Sequence, residues 1–310
     1  MKKNQNFIFQ QKEYLSKDDY NRIQQLQKLC SVDLVLKLEL DYRFACANEN
    51  KEPTNQVNEF MCFDGQLLVG YIGIACFGGD VLEVCGMVHP DYRRCGIFKA
   101  LFDLVKTEWK KRPVECMLLL ADRNSKSGQA FIKSTGATYA NSEYEMVIDY
   151  ISELAQVQEQ GTSKTAETKS GVMAGFITLR KATNADANQI AYQNTIYFGH
   201  ESKVILPEEE EKRGMTIYLA QNEDVVIGKV HIEMAGGTGA IFGLGVLPEY
   251  RSKGYGRKIL LEGIEVIKKM PADRALLQVA TENSNALNLY LSCGFVEKAI
   301  MDYFELYSIV

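Results

Sequence analysis

One pattern occurs twice in this chain of 310 residues, at a constant offset of 158 positions. The matched segments and residues are Val88–Arg93 with Val246–Arg251, Gly96 with Gly254, Ser134 with Ser292, and Gly136 with Gly294. Identities spread this widely at one offset predict an internal duplication, in which two domains share one fold. The length agrees, because a chain of this size divides into two hydrophobic cores more readily than it builds one.

A polar stretch separates the two copies. Residues 151–175 are rich in Ser, Thr, Gln and Gly and lack apolar periodicity beyond their first few positions. Such a composition is typical of a linker. We therefore expect an N-terminal domain over 1–150, a linker over 151–175 and a C-terminal domain over 176–310.

The apolar spacing of the second half predicts alternating strands and helices. The expected elements are a strand over 176–181, a cap over 184–186 before a helix that runs to about Tyr197, a hairpin of 215–220 and 225–233, a strand over 240–247, a helix over 255–269, a strand over 275–279, a helix over 284–292, and a closing strand pair over 295–299 and 301–308. The first half repeats this order from about Tyr14 to Tyr150, with helices over 17–29 and 33–45. The predicted class is α/β, with a twisted mixed sheet flanked by helices in three layers in each domain.

Composition excludes several functions. The net charge of −5 gives no reason to expect binding of DNA or RNA, which usually depends on a basic patch. No apolar run reaches the length of a membrane span or of a signal peptide core, so we expect a cytoplasmic protein. The eight cysteines and three histidines lack the spacing of zinc ligands, so we expect no metal and reduced thiols.

A glycine-containing loop between a predicted strand and a predicted helix is the strongest binding signal. It consists of Arg251, Ser252, Lys253, Gly254, Tyr255 and Gly256, with Arg257 following. Its glycines let the backbone approach a ligand, and the unpaired amides and dipole of the helix attract an anion. The loop therefore predicts a diphosphate site, although a polar turn before an amphipathic helix remains an alternative. It does not match the GxxxxGK(S/T) pattern of a P-loop, and it lacks the third glycine of a dinucleotide fingerprint.

The order of these features resembles the GNAT superfamily of acetyl-CoA-dependent N-acetyltransferases. The resemblance rests on a strand, the segment PEYRSKGYG, a long helix, a buried strand, Glu282–Asn285, and Tyr290 followed by Gly294-Phe295. It covers both halves, so the chain resembles a tandem member. It implies acetyl-CoA as co-substrate and an acetyl group transferred to a small-molecule or peptide amine, without a covalent enzyme intermediate.

The resemblance also implies roles for single residues. The strand ending at Val246 is expected to bulge, so that the backbone at Leu244, Gly245 and Val246 holds the pantetheine arm and the thioester oxygen. Asn283 resembles the residue that contacts pantetheine, and Tyr290 the general acid that protonates the leaving thiolate. Gly243 and Gly245 fit such a bulge. The alternatives are a packing role for these two glycines and a core role for Tyr290.

The general base is less well defined by the sequence. Glu233 and His231 alternate to one face of the strand before the bulged one. We take Glu233 as the catalytic base, acting through water, with His231 and Glu282 as further candidates. Plain exposure on the strand is the alternative.

The first half departs from the pattern. Its loop keeps Arg93, Arg94 and Gly96, but Phe98 replaces the second glycine, and Ile132 stands opposite Tyr290. We therefore expect catalysis in the second half, with CoA binding in the first half left open. A non-catalytic acyl-CoA-binding or scaffolding protein, or an acyltransferase for another acyl-CoA, are the alternative functions, and the protein is expected to be a monomer or homodimer.

Overall fold

The computed structural model describes residues 6–32, 34–49, 55–76, 81–149, 176–199 and 203–308. These residues form two compact units. Unit 1 comprises Met1–Glu143 and Ala299–Val310, and unit 2 comprises Tyr144–Lys298. The predicted linker lies outside the described residues, and the domain limits at 150 and 176 stay a prediction.

Unit 1 is a six-stranded sheet with helices. Its elements are β1 (Phe7–Lys12), α1 (Lys17–Cys30), α2 (Leu40–Glu49), β2 (Glu59–Asp64), β3 (Leu67–Ala75), β4 (Val81–Val88), α3 (Ile97–Trp109), β5 (Cys116–Asp122), α4 (Lys126–Thr135) and most of β12 (Val296–Tyr307). The strand order is β1-β2-β3-β4-β5-β12. All pairs are antiparallel except β4 with β5, which is parallel.

Unit 2 repeats this plan. It begins within β6 (Thr138–Asp149) and continues with β7 (Thr178–Lys181), α5 (Ala187–Phe198), α6 (Pro207–Lys212), β8 (Met215–Asn222), β9 (Val225–Ala235), β10 (Thr238–Val246), α7 (Tyr255–Lys268), β11 (Arg274–Ala280) and α8 (Ser284–Ser292). Its strand order is β6-β11-β10-β9-β8-β7. The pair β10–β11 is parallel, and β10 pairs antiparallel with β9. The predicted mixed α/β class is confirmed.

The long helices follow their apolar spacing. The buried face of α7 consists of Ile259, Leu260, Ile264 and Ile267, which pack in one core cluster with Val230 and Ile232 of β9 and with Ala275, Leu277 and Val279 of β11. The opposite face of the unit 2 sheet packs Ile217 and Leu219 of β8 against Ile190 of α5. No helix among the described residues is long and apolar enough to cross a membrane.

The closing strand pair predicted around Ile300 is wrong. Residues 296–307 form one continuous strand, β12, whose part from Met301 to Tyr307 pairs with β5 of unit 1. The reason is local, because the residue between the two predicted strands is the β-branched Ile300, which favours an extended chain over a turn.

Two predicted limits in the first half also differ. The helix expected over 33–45 is observed at Leu40–Glu49, and Asp33 lies outside the described residues. Before this helix the amide of Val35 donates to Asp122 at 2.8 Å, and Glu39 has a φ of +50°, so the chain there cannot continue a helix. A strand, β1, precedes Tyr14.

Candidate active site

A β-bulge interrupts β10 at its C-terminal end. Phe242 pairs with His231 and Gly245 pairs with Lys229, so Gly243 and Leu244 lie opposite one residue of β9. Gly243 has a φ of +52°, a left-handed conformation that glycine adopts without a steric penalty. The sequence prediction of a bulge at these glycines agrees with this geometry.

The bulged end of β10 also leaves its other neighbour. Parallel pairing with β11 ends at Ile241–Leu277, whereas β10 runs on to Val246. On the side away from β9, the backbone of residues 242–246 therefore has no strand partner within the described sheet. Such an edge can hydrogen-bond an extended ligand in the manner of an added strand.

The loop that follows β10 has the backbone of an anion site. Ser252 and Gly254 have φ values of +60° and +82°. Gly254 is the N-cap of α7 and provides no side-chain cap, so no capping side chain occupies the first amides of the helix. Arg251, Ser252, Lys253 and Gly254 are exposed. The residues present therefore fit a diphosphate.

The side chains near this loop lie in different directions. Arg251 Nε donates to the carbonyl of Val246 at 2.9 Å, and Lys253 Nζ donates to the carbonyl of Glu249 at 2.8 Å. Tyr255 is buried in the core cluster. Its phenolic oxygen accepts a bond from Asn222, so only its backbone is placed to face a ligand.

Arg257 is directed away from the loop. Its Nη1 and Nη2 donate to Oγ and O of Ser292 at 2.5 and 2.8 Å, at the C-terminal end of α8. Both residues are exposed, so water competes for these hydrogen bonds and a phosphate can replace Ser292 as the partner. The predicted role of Arg257 stays a prediction.

The loop of unit 1 has the same backbone. Arg94 and Gly96 have φ values of +65° and +82°, and Arg93 Nε donates to the carbonyl of Val88 at 3.2 Å. Gly96 is the N-cap of α3 and likewise makes no side-chain cap. The duplication seen in the sequence therefore extends to the conformation of single residues.

Unit 1 nevertheless has no bulge in the corresponding strand. The pairs of β3 with β4 run without interruption from Gly70–Val88 to Ala75–Glu83. Cys85 stands where unit 2 has Gly243, and a cysteine is strained at a positive φ. The ring of Phe98 packs edge-on against Phe131 of α4, with ring centroids 4.6 Å apart.

Glu83 of unit 1, which sits on the strand before the loop, belongs to a charged cluster. Lys37 Nζ lies 3.8 to 4.0 Å from carboxylate oxygens of Glu39, Glu83 and Glu143, and donates to Tyr303 Oη at 2.8 Å. Burial raises the pKa of Glu83. With Lys37 in this position, Glu83 is held as part of an ion-pair network.

Tyr290 and Asn283 both belong to α8. Tyr290 is half-buried, its ring centroid lies 6.2 Å from that of Phe295, and burial raises the pKa of its hydroxyl. Within the described residues this hydroxyl makes no hydrogen bond. Asn283 is the N-cap of α8, where its Oδ1 accepts from the amide of Ala286 at 3.1 Å and leaves Nδ2 to donate elsewhere.

The face of β9 below the bulge holds a lysine that the sequence analysis missed. Lys229 is fully buried, and its Nζ lies 2.9 Å from His231 Nε2 and donates to the carbonyl of Gly243 at 3.0 Å. Burial lowers the pKa of Lys229 to about 7 and lowers the pKa of His231 well below its usual value. His231 is buried as well, at 8% exposure, so the expectation of plain strand exposure is wrong for this residue.

Helix α5 covers this face. The ring of Tyr197 lies 5.5 Å from Lys229 Nζ, and its hydroxyl donates to Gln193 Oε1 at 3.1 Å. A Cβ at Gly245 would lie only 2.2 Å from this ring. Glu233, the predicted base, is half-buried and pairs with Ala240, so it lies about 10 Å along the strand from the bulge.

Comparisons with known proteins agree with this geometry. Residues 185–295 match the model of the Acetyltransferase (GNAT) family. The chain is 24% identical over 241 residues to a mycothiol acetyltransferase of Clavibacter sepedonicus, and the match covers 73% of each protein.

Two solved structures share the fold over nearly the whole chain. A GCN5-related N-acetyltransferase from Sphaerobacter thermophilus aligns with a TM-score of 0.68 at 16% identity, over 97% of this chain and 95% of that one. A tandem GNAT protein from the clavulanic acid biosynthesis pathway aligns with a TM-score of 0.69 at 13% identity, over 97% and 98%. The predicted resemblance to a tandem GNAT protein is confirmed.

Proposed function

We propose that this chain, which carries an acetyltransferase domain of the GNAT family in residues 185–295, transfers an acetyl group from acetyl-CoA to a primary amine in unit 2. The observation that carries the proposal is the bulge at Gly243, which occurs in β10 and has no counterpart in β4. The two units otherwise share their loop backbone. The difference therefore separates a unit equipped for acyl transfer from one equipped only with the phosphate loop.

The proposed binding mode uses backbone groups. The amides at the start of α7, with Arg251, Ser252 and Lys253, take the diphosphate of the substrate. The open edge of β10 at Leu244, Gly245 and Val246 pairs with the pantetheine arm, and Nδ2 of Asn283 contacts the same arm. An amide of the bulge then donates to the thioester oxygen, where negative charge develops as the amine attacks.

Three proton transfers accompany the proposed reaction. The amine attacks the thioester carbonyl directly, and the carbon–sulfur bond breaks to release a thiolate. Tyr290, which is neutral at pH 7, donates a proton to that thiolate. On β9, His231 adjoins the bulge and is proposed to take the proton of the attacking amine. Glu233 lies farther along the strand, where it attracts the amine in its cationic form and accepts a proton from it through water.

The test of the chemistry is CoA release. Purified protein is incubated with acetyl-CoA and a panel of primary amines, and free thiol is followed with a thiol-reactive dye. We expect Tyr290→Phe to lower kcat by about 100-fold, since acid catalysis typically contributes that much or more, with binding of acetyl-CoA unchanged in calorimetry. Undiminished turnover in the variant would refute the role of Tyr290.

The test of the site uses matched glycines. Gly254→Ala and Gly96→Ala each place a Cβ at a φ of +82°, with a strain of about 1–2 kcal/mol. If unit 2 binds the substrate, Gly254→Ala weakens acetyl-CoA about tenfold in calorimetry and Gly96→Ala leaves its affinity unchanged. The reverse result would move the site to unit 1, and binding without CoA release from any amine would favour a non-catalytic CoA-binding protein.

A further inference from the structure

Lys229 is an unusual residue for its position. Its side chain is fully buried, yet both polar groups that its Nζ contacts are formally uncharged, namely the imidazole of His231 and the carbonyl of Gly243. A buried ammonium without a carboxylate partner costs several kcal/mol, and such a lysine instead tends to lose its proton. A structural lysine is not needed here, because an apolar side chain would fill the same space at lower cost.

The described contacts of Lys229 indicate which group can exchange a proton with its Nζ. From β8, Leu219 pairs with it, and from α5 the ring of Tyr197 covers it. Among the described residues facing Nζ, His231 and Tyr197 are the titratable ones. The pKa of Tyr197 is raised by burial, with Arg251 and Glu249 as charged neighbours, so Tyr197 stays neutral. Among the described hydrogen-bond partners of Nζ, the imidazole of His231 is therefore the group that can exchange a proton with Lys229.

The imidazole of His231 is placed to pass a proton on. Its Nε2 is engaged by Lys229, which leaves Nδ1 for another partner. Nδ1 lies on the side of the bulge, because a Cβ added to Gly243 would be 3.3 Å from Nδ1 and 3.1 Å from Lys229 Nζ. Nδ1 of His231 and Nζ of Lys229 both adjoin the strand segment that the proposed function assigns to the thioester.

We propose that Lys229 is the terminal proton acceptor for the attacking amine and that His231 is its relay. In the starting state Lys229 is an uncharged amine, and His231 donates its Nε2 hydrogen to it. As the amine bonds to the thioester carbon, it gives a proton to His231 Nδ1 while the Nε2 proton moves to Lys229 Nζ. His231 remains neutral and changes tautomer, and one positive charge moves from the substrate nitrogen to Lys229.

Two further features suit this role. The burial that lowers the pKa of Lys229 to about 7 places the acceptor near the pH at which a general base is most effective. The ammonium formed in the reaction donates to the Gly243 carbonyl, so the bulge holds the product state of the relay. Lys229 acts through His231 and is a positioning and proton-holding residue, whereas His231 contacts the substrate.

A titration tests the relay without any substrate. Protein labelled with carbon-13 and nitrogen-15 in lysine and histidine is followed by NMR from pH 5 to 10, and signals are assigned with Lys229→Met and with a His231→Gln variant. We expect the Lys229 methylene shifts to titrate with a midpoint near 7, and the two ring nitrogens of His231 to exchange protonated and unprotonated character over the same range. A Lys229 midpoint near 10, or a His231 tautomer that does not change, would overturn the inference.

Kinetics test the role in turnover, which rests on the proposed function. Lys229→Met should keep the fold and lower kcat by about 100-fold. Lys229→Arg should be as slow, because an arginine donates hydrogen bonds but does not release its proton. The exposed Lys212, on α6, provides the control Lys212→Met, which should retain wild-type turnover.

The outcomes separate the two claims. In the wild type, kcat/KM should rise with pH through about 7, and this limb should be absent from both Lys229 variants. Full activity of Lys229→Met would overturn the inference while the proposed acetyl transfer stands. A Lys229 midpoint near 7 in a protein that releases no CoA with any amine would refute the proposed function and, with it, the catalytic use of the relay.

Discussion

Replacing Gly245 by alanine tests how α5 fits against the bulged strand. An added Cβ would lie 2.2, 2.4 and 2.6 Å from three ring carbons of Tyr197, well inside van der Waals contact. Tyr197 is half-buried, and its hydroxyl is held by Gln193. Either the ring or the strand must therefore move.

The expected cost follows from these contacts. Overpacking of a closely packed site costs about 1–3 kcal/mol. If the ring rotates away, the Tyr197–Gln193 hydrogen bond is lost, which adds about 1 kcal/mol. We therefore expect Gly245→Ala to lower the free energy of unfolding of unit 2 by about 2–4 kcal/mol.

Urea unfolding measures this difference, with Gly263→Ala as a matched control. Gly263 lies within α7, and a Cβ there would meet its nearest atoms at 3.9 Å, so alanine should stabilise the helix by about 0.5–1 kcal/mol. Tyr197→Leu removes the clashing ring, so the double variant with Gly245→Ala should show a favourable coupling of about 1 kcal/mol or more. A single variant within about 0.5 kcal/mol of the wild type, or a coupling of zero, would contradict the packing described for Tyr197.

Two further predictions concern stability, and a third concerns association. Burial lowers the folded-state pKa of Lys229 to about 7 from 10.5. Between these pH values the unfolded chain binds more protons than the folded chain. In urea unfolding, the wild type should therefore gain stability relative to Lys229→Met as the pH rises from 7 to 9. Arg180 donates to both carboxylate oxygens of Asp186 at 2.9 Å and lowers the pKa of Asp186 to about 2. Asp186→Asn should therefore lower the free energy of unfolding by about 1 kcal/mol at pH 7. This difference between wild type and variant should be lost as the pH falls from 4 to 2. Deleting residues 299–310 removes the strand that pairs with β5 and should make unit 1 associate in size-exclusion chromatography. A monomeric variant with an intact unit 1 would contradict the assignment of β12 to that unit.

Local signals predicted much of the site. The left-handed backbone at position 254 follows from Gly254, and the bulge follows from Gly243, because both positions require a residue that tolerates positive φ. The positive φ of Ser252 has no such signal in the sequence. Helix α8 is observed at the predicted limits, Ser284–Ser292, because Asn283 caps it. These features depend on neighbours within a few positions along the chain.

Lys229 was missed because its environment is not local. A lysine in an alternating strand normally indicates a solvated face, and only the packing of α5 over β9 buries it. The sequence did indicate that β4 has no bulge. Cys85 occupies the position of Gly243, and a cysteine is strained at the positive φ that Gly243 adopts. The same limit explains β12: a pattern shows that residues are extended, but not which strand they will join.

The pairing of β12 with β5 has a consequence for the order of synthesis. Asp122 of β5 pairs with Met301 of β12, so the pair forms only after Met301 has been synthesised. At about 5–20 residues per second, the ribosome needs roughly 10–40 s to make the intervening chain. During that interval one side of β5 remains open to any other extended segment. Chaperones should therefore be needed mainly by the half that is translated first. Deleting either sequence repeat would also leave an unpaired strand edge in the other unit, because β12 belongs to unit 1 and β6 to unit 2.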